Sequence, residues 1–203
     1  MFVFDAAMHY LENGRKFSFL NCGNRKDGAS MNSIIIYGSR YGSTKRYAER
    51  LAEITGLKAV FFKDVKSVAG YDRIVYLGAL CAGGIMGLKK TVCCLSASQE
   101  LFVATVGLAD PTDAENVNHI RGCLKKQVPA SHYDESKIFH LRGAIDYTKL
   151  GLKHRIMMKL LYSKVTKIPE TERNAEVRAL IATYGKQVDF VNLDTLEPIV
   201  KAL

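Results

Sequence analysis

The sequence predicts an α/β fold, in which a doubly wound parallel sheet of five strands is covered by helices on both faces. Short apolar, β-branched runs alternate with helical segments along the chain. The runs are apolar throughout rather than at every second position, which is typical of strands buried on both faces. The length of 203 residues fits one such domain, with room for a buried core.

Five runs are predicted as strands. Each is apolar and is bounded by glycine or by charged residues. Five strands fit a five-stranded doubly wound sheet better than the six-stranded sheet that binds dinucleotides. The predicted strands cover residues 33–37, 58–62, 73–78, 101–107 and 138–141.

Helical periodicity fills the intervals between the strands. The first helix opens at Thr44 and ends near Gly56, and Tyr47, Ala48, Leu51 and Ile54 share one of its faces. Further helices are predicted at 88–95, 113–126 and near 149–164, with a closing helix at 172–188.

The charge predicts anionic partners without choosing among them. The formal net charge is +9, and residues 1–30 carry four basic and three acidic side chains, which leaves +8 on residues 31–203. Such a field attracts acidic protein faces, anionic lipid, nucleic acid or carboxylate-bearing substrates. No apolar run approaches the roughly 18 residues of a membrane span, and no secretion signal opens the chain, so a cytoplasmic location is expected.

The cysteines and histidines predict no metal site. The five cysteines include no CxxC pair, and no histidine stands at ligand spacing from them. An odd number of cysteines in a cytoplasmic protein is typical of free thiols.

The segment between the first strand and the first helix predicts a phosphate site. Ser39, Ser43 and Thr44 bring hydroxyl groups to the helix start, and Gly42 permits close backbone approach. An ordinary turn with Thr44 as helix cap is the alternative. A Walker loop fits worse because Lys45 follows Thr44, and the GxGxxG fingerprint is absent. Ligands in such sheets bind at the carboxyl ends of the strands, where the other candidate loops are 79–84 and 108–113.

The stretch from Ile34 to Thr44 resembles the flavodoxin signature, an apolar strand followed by [TS]-x-[TY]-G-x-[TS]. Phe139–Tyr147 and the basic segment after it, which includes His154-Arg155, are similar to the branch that contains the menaquinone-dependent protoporphyrinogen oxidases. The resemblance covers about Asn32 to the C-terminus. It implies a flavodoxin-like fold, noncovalently held FMN, and electron or hydride transfer.

The resemblance also implies the site residues. It assigns the phosphate to Ser39, Arg40, Tyr41, Gly42, Ser43 and Thr44. It assigns the flavin ring to two loops, Ala79, Leu80, Cys81, Ala82, Gly83 and Gly84, and Val106, Gly107, Leu108, Ala109 and Asp110. The candidates on the substrate side are Arg142, Asp146, Tyr147 and His154. Many family members carry an aromatic residue in the first ring loop, whereas this chain has Cys81. Tyr41 or a partner protein would then cover the ring, and Cys81 is interpreted as a small buried residue rather than a redox thiol.

The basic segment near 149–164 has two interpretations. Leu150, Met157, Leu160 and Leu161 form an apolar stripe beside several Lys and Arg residues. The segment is either a surface for anionic lipid, a quinone-bearing membrane or an acidic partner, which would make the protein peripheral to the membrane, or a helix packed on the domain with a solvated basic face.

The leading functional hypothesis is an FMN oxidoreductase that exchanges electrons with a tetrapyrrole- or quinone-type partner. The rival is an electron carrier or accessory subunit for a larger reductase, for example a tetrapyrrole or bilin reductase, and a flavin-free scaffold is a third class. No nucleic-acid partner is expected. Residues 1–30 match no part of the pattern, so either Met31 is the native start or the extension is a dispensable arm ahead of a 31–203 domain.

Overall fold

The structure is a computed structural model that describes residues 31–81 and 84–203. The predictions for the 1–30 extension, and those for Ala82 and Gly83 in the first ring loop, lie outside the described residues.

The central sheet has the predicted parallel architecture. Within the described residues, the parallel strands are β1 (Ser33–Gly38), β2 (Lys58–Phe61), β3 (Arg73–Cys81), β5 (Glu100–Gly107) and β6 (Ile138–Arg142). They lie in the order β2-β1-β3-β5-β6, and the short β4 (Gly84–Ile85) pairs antiparallel with the end of β3. From β1 the chain adds β2 on one side, and then β3, β5 and β6 on the other. This is the order of a doubly wound sheet, so the predicted fold class is confirmed.

Six α-helices accompany these strands in the part of the chain that the structure describes. They are α1 (Ser43–Thr55), α2 (Leu88–Val92), α3 (Ala114–Lys125), α4 (Leu152–Val165), α5 (Ala175–Thr183) and α6 (Glu197–Ala202). None of the helices among these residues combines the length and the apolar character that crossing a membrane would need.

The core lies on both faces of the sheet because neighbouring residues of each strand point to opposite faces. Ile35 and Ile36 are adjacent in β1 and both are fully buried. Ile36 packs with residues of α2 and α3, whereas Ile35 packs with residues of α1 and α6. An all-apolar strand is therefore required, as the sequence pattern indicated.

The prediction of a closing helix up to Val188 was wrong at its end. The helix stops at Thr183, and Gly185 follows with φ +74°, a left-handed conformation that ends helices readily. Gln187–Asp189 forms β8, which pairs antiparallel with β7 (Ala144–Asp146). The backbone N–H of Gly143 donates to Gly107 at the end of β5, so this small sheet extends from the carboxyl edge of the large one.

A histidine in β6 is expected to make the free energy of unfolding depend on pH. The His140 Nδ1 lies 2.8 Å from the Thr105 hydroxyl, while Nε2 is buried without a hydrogen-bond partner among residues 31–81 and 84–203. Burial, helped by the nearby Arg121 cation, lowers the pKa of His140 to about 4. The native state therefore prefers the neutral ring.

We expect the free energy of unfolding to fall as the pH drops from about 6.5 towards 4. In this range His140 is protonated in the unfolded chain but stays neutral in the folded protein. The loss should be about 1 kcal/mol, since the ring is only partly buried and solvent screens its charge. Urea unfolding of wild type and His140→Gln at several pH values measures it, with the exposed His119→Gln as control. Equal pH slopes in wild type and His140→Gln would contradict the assignment.

Candidate functional site

The start of α1 has the features that an anion site requires. Its N-cap is Gly42, which has φ +94° and no capping side chain, and the first turn contains no acidic residue. The first intrahelical hydrogen bond is donated by the N–H of Arg46 to Gly42, at 3.0 Å. The N–H groups of Ser43, Thr44 and Lys45 therefore have no acceptor within the helix and, with the positive end of the helix dipole, favour an anion.

Thr44 is a buried residue of the first turn and not a cap. The prediction that Thr44 caps the helix is wrong, because the cap position belongs to Gly42. The Thr44 side chain is fully buried, and its hydroxyl oxygen finds no hydrogen-bond partner in the described part of the chain. Leaving such a group unpaired costs about 1–3 kcal/mol. A phosphate at the helix start would supply the missing partner.

The rest of the loop is shaped by Ser39 and Arg40. The Ser39 hydroxyl accepts a hydrogen bond from the Gly42 N–H at 3.2 Å, which closes the turn before the helix. The Arg40 guanidinium lies 3.3 Å from His154 Nε2, and the Tyr41 ring meets the His154 ring edge to face. His154 thus brings α4 against residues 39–44, which we call the phosphate loop, although it is distant from them in sequence.

Residues after β6 pack directly against this helix start. The Tyr47 hydroxyl donates to the Arg142 carbonyl at 2.8 Å. A Cβ at Gly143 would lie 3.2 Å from the Ser43 hydroxyl oxygen, so only glycine fits there without a shift. The end of β6 and the start of α1 are therefore parts of one site.

Arg142 carries a cation into the same region. Its Nη2 donates to the Leu108 carbonyl at 3.2 Å, and its guanidinium carbon lies 3.9 Å from the centre of the Phe190 ring. Its Nε is buried and has no hydrogen-bond partner within the described ranges. The Arg142 cation is therefore held beside Leu108 and Phe190.

The first predicted ring loop is largely strand. Ala79, Leu80 and Cys81 are the last residues of β3, and Gly84 pairs with Cys81 across the short β3–β4 hairpin. Burial raises the pKa of the Cys81 thiol, although the neighbouring Arg40 cation opposes the shift. A protonated thiol supports the interpretation of Cys81 as a small packing residue.

The second predicted ring loop begins inside the core. Val106 is a buried residue of β5, Gly107 ends that strand, and Leu108, Ala109 and Asp110 follow as the loop. The Asp110 carboxylate accepts hydrogen bonds from the Thr112 N–H and hydroxyl, at 2.9 and 2.7 Å, which lower the Asp110 pKa. Its carboxylate is therefore engaged in shaping the loop, and the contact of this loop with the flavin stays a prediction.

Asp146 is the last residue of β7, and Tyr147 directly follows it. The Asp146 carboxylate accepts hydrogen bonds from Thr148 and forms a salt bridge with Lys149 at 3.4 Å, which lower its pKa. The Tyr147 ring meets the Tyr184 ring edge to face, and burial raises the pKa of Tyr147 to about 12. The Tyr147 hydroxyl is buried and unpaired among the described residues, so it stays protonated and able to donate.

A cleft of 360 Å³ separates the phosphate loop from the small sheet. It brings together some of the predicted site residues and three that sequence reasoning missed, those of β8. The signal for β8 was the alternation of Val188 and Phe190 after Gly185. The cleft is lined by Arg40, Tyr41, Ala144, Ile145, Asp146, Lys149, Gln187, Val188 and Asp189.

Two further features concern other possible ligand sites among the described residues. A hollow of 440 Å³ lies at the amino end of β1, the edge at which sheets of this type do not bind their ligands. Within residues 31–81 and 84–203, no three His, Cys, Asp or Glu side chains gather closely enough to hold a metal ion.

The site fits the phosphate of FMN. The free N–H groups at the start of α1, the unpaired Thr44 hydroxyl and the Ser43 side chain beside it would hold a dianion. These are the features that the resemblance assigned to the phosphate.

The sequence profile of the flavodoxin domain family matches residues 34–172, which is more than half of the chain. No curated protein matches the chain. Among solved structures, a metal-soaked flavodiiron core from Synechocystis is 17% identical, with a TM-score of 0.38 over 55% of this chain and 30% of that one. Rubredoxin oxygen:oxidoreductase from Desulfovibrio gigas is 13% identical, with a TM-score of 0.38 over 77% and 37%. The matched parts span about a third of those proteins.

Proposed function

The chain belongs to the flavodoxin domain family and its cofactor is FMN, and on that premise we propose that it is an oxidoreductase of the protoporphyrinogen oxidase-like branch. In this proposal it exchanges electrons with a tetrapyrrole- or quinone-type partner. FMN supplies the electron chemistry, and the protein supplies binding, orientation and access.

The cleft beside the phosphate loop is the observation that carries this proposal, because it offers a substrate a place next to the expected phosphate site. Its two carboxylates are already ion-paired, Asp146 with Lys149 at 3.4 Å and Asp189 with Arg46 at 2.6 Å. Arg40 also lines the cleft, and its charge is not offset by a salt bridge to any described residue. The cleft is therefore suited to a substrate that carries carboxylates, as tetrapyrrole propionates do.

We assign roles to the side chains around the cleft on the same basis. Arg40 would bind a substrate carboxylate, and His154 would orient the Arg40 guanidinium by accepting its hydrogen bond. Tyr147 does not line the cleft and its hydroxyl is buried, so we assign it a packing role through the edge-to-face contact of its ring with Tyr184.

We expect the FMN-loaded protein to lose its yellow colour when it is mixed anaerobically with a porphyrinogen, and to regain it on addition of a soluble quinone. Arg40→Gln should lower kcat/KM for the carboxylated porphyrinogen by about tenfold. The same variant should leave reoxidation by the neutral quinone nearly unchanged. Stopped-flow absorbance measures both steps, with free FMN as the background.

Other outcomes separate the competing functions. Failure of both small molecules, with electron transfer only to a reductase protein, would replace the proposal by the accessory electron carrier. Failure of the purified protein to bind FMN by titration would leave the flavin-free scaffold.

A further inference from the structure

The outer face of α4 carries an apolar stripe that nothing in the described chain covers. Leu152, Ile156 and Leu160 follow one another at intervals of four residues, so they share one face of the helix. Their exposed fractions are 74%, 53% and 61%. Isolated exposed apolar residues are common, but three in line on one helix form a continuous surface. We call these three residues the outer stripe.

The opposite face of α4 packs against the rest of the domain. Met158 contacts the cluster of Ile145, Tyr147 and Leu150, and the Tyr162 ring stacks on Tyr184 at 3.9 Å. The outer stripe is therefore not needed to attach α4 to the domain.

Basic residues border the outer stripe on both sides. At 3.6 residues per turn, Arg155 and Lys159 fall along one edge of the stripe, and Lys153 falls along the other. All three are exposed, and none forms a salt bridge with a residue that the structure describes. The sequence contains no acidic residue between Asp146 and Glu170, but five lysines and one arginine. The surface is apolar along its centre and cationic at both margins.

We propose that the outer stripe and its basic margins dock the protein on an anionic lipid surface. Aliphatic residues bordered by lysines match the layout of helices that lie in the membrane interface, with apolar side chains among the acyl chains and cations at the headgroups. An acidic protein partner is the less suitable occupant, because the cores of protein interfaces are enriched in aromatic residues and depleted in lysine. The outer stripe contains no aromatic residue, and its margins are mostly lysine.

Docking would bring the site close to the membrane. The inner side of α4 reaches the phosphate loop through the His154–Arg40 contact, so the lipid surface would lie about one helix diameter, roughly 10 Å, from that loop. This deepens the proposed function, since a quinone dissolves in the membrane, but the docking itself needs neither FMN nor a substrate. A failure of docking and a failure of the redox proposal can therefore be told apart.

The test uses the full chain and vesicles of phosphatidylglycerol and phosphatidylcholine in equal parts, with pure phosphatidylcholine vesicles for comparison. The chain contains no tryptophan, so Ile156→Trp places a single reporter in the outer stripe. Ile54→Trp is the matched control, because Ile54 is also exposed, at 45%, but lies on α1. We expect the emission of Ile156→Trp to shift to the blue on anionic vesicles only, and that of Ile54→Trp to stay unchanged.

Cosedimentation with the same vesicles separates the apolar and the charged contributions. Replacing Leu152, Ile156 and Leu160 together by Gln should lower the partition coefficient about 100-fold with an unchanged melting temperature. Replacing Lys153, Arg155 and Lys159 together by Gln should lower it by a similar factor, and salt above roughly 0.5 M should remove that difference. Replacing Lys66, Lys89 and Lys90 by Gln makes the same change of charge on exposed residues elsewhere and should leave binding intact.

Two results would overturn the proposal. One is the absence of binding of the wild-type chain to anionic vesicles, with or without FMN, which would assign the surface to a protein partner. The other is binding that survives replacement of the outer stripe.

Discussion

Thr44→Val should weaken FMN binding while making the FMN-free protein slightly more stable. The Thr44 hydroxyl is buried and unpaired among the described residues, so its removal relieves an unfavourable group when no cofactor is bound. When FMN is bound, the same hydroxyl would donate to a phosphate oxygen, a charge-assisted hydrogen bond worth about 1.5–3 kcal/mol. Isothermal titration should therefore show a loss of roughly tenfold to a hundredfold in FMN affinity.

Two comparisons make this result specific to the phosphate. Riboflavin lacks the phosphate and should bind Thr44→Val and wild type alike. Thr55→Val removes a hydroxyl at the other end of α1, where it donates to the Leu51 carbonyl at 2.6 Å. That control should lower stability by about 1 kcal/mol without changing FMN affinity. Equal losses for riboflavin and FMN would instead show that Thr44 acts by shaping the loop.

The large sheet and the turn between β1 and α1 could be predicted because their signals are local. A strand such as β1 is a run of apolar residues that fits only a sheet covered on both faces, and the turn after it concentrates glycine and hydroxyls in a few residues. What the sequence could not show is that Gly42, rather than Thr44, caps α1 and that the Thr44 hydroxyl is left without a partner. Capping and hydrogen-bond satisfaction depend on the exact first residue of the helix, the least predictable feature of an element.

The apolar stripe of α4 shows a second limit. Leu150, Met157, Leu160 and Leu161 were predicted to share one face, yet Leu150 precedes the helix and Leu160 is mostly exposed. Because α4 is apolar on two faces, periodicity cannot tell which face packs on the domain. The face that packs is determined by residues distant in sequence. Met158 packs against residues after β6, and the Tyr162 ring stacks on the Tyr184 ring.

The short β8 strand escaped prediction for a similar reason. The alternation of Val188 and Phe190 is brief, and it follows directly on a helical pattern that runs up to it. Their pairing with β7 depends on long-range contacts, such as the hydrogen bond from the Phe190 N–H to Gly143. The sequence therefore did not predict that β8 lines the cleft, nor that Asp189 forms an ion pair with Arg46.

Gly38→Ala should destabilise the protein by about 2–4 kcal/mol, although it adds a single methyl group. Gly38 ends β1, and a Cβ there would lie 2.2 Å from the Met86 carbonyl oxygen, which belongs to the backbone and cannot rotate aside. That carbonyl accepts a hydrogen bond from the Tyr76 hydroxyl at 2.6 Å. Moving it would break this hydrogen bond of a buried tyrosine hydroxyl, in addition to disturbing the packing.

The matched control is Gly122→Ala, which makes the same chemical change where a Cβ would meet nothing within 4 Å. Gly122 lies inside α3, where alanine is favoured over glycine by about 0.5–1 kcal/mol, so this variant should be more stable than wild type. Urea unfolding monitored by circular dichroism gives both free energies, and they should differ in sign. Met86 lies two residues after the last residue of the first ring loop, so Gly38→Ala should also weaken FMN binding in the fraction that remains folded. Equal stability of the two variants would mean that the 84–87 segment yields to the methyl group, and that β1 does not hold the ring loop in place.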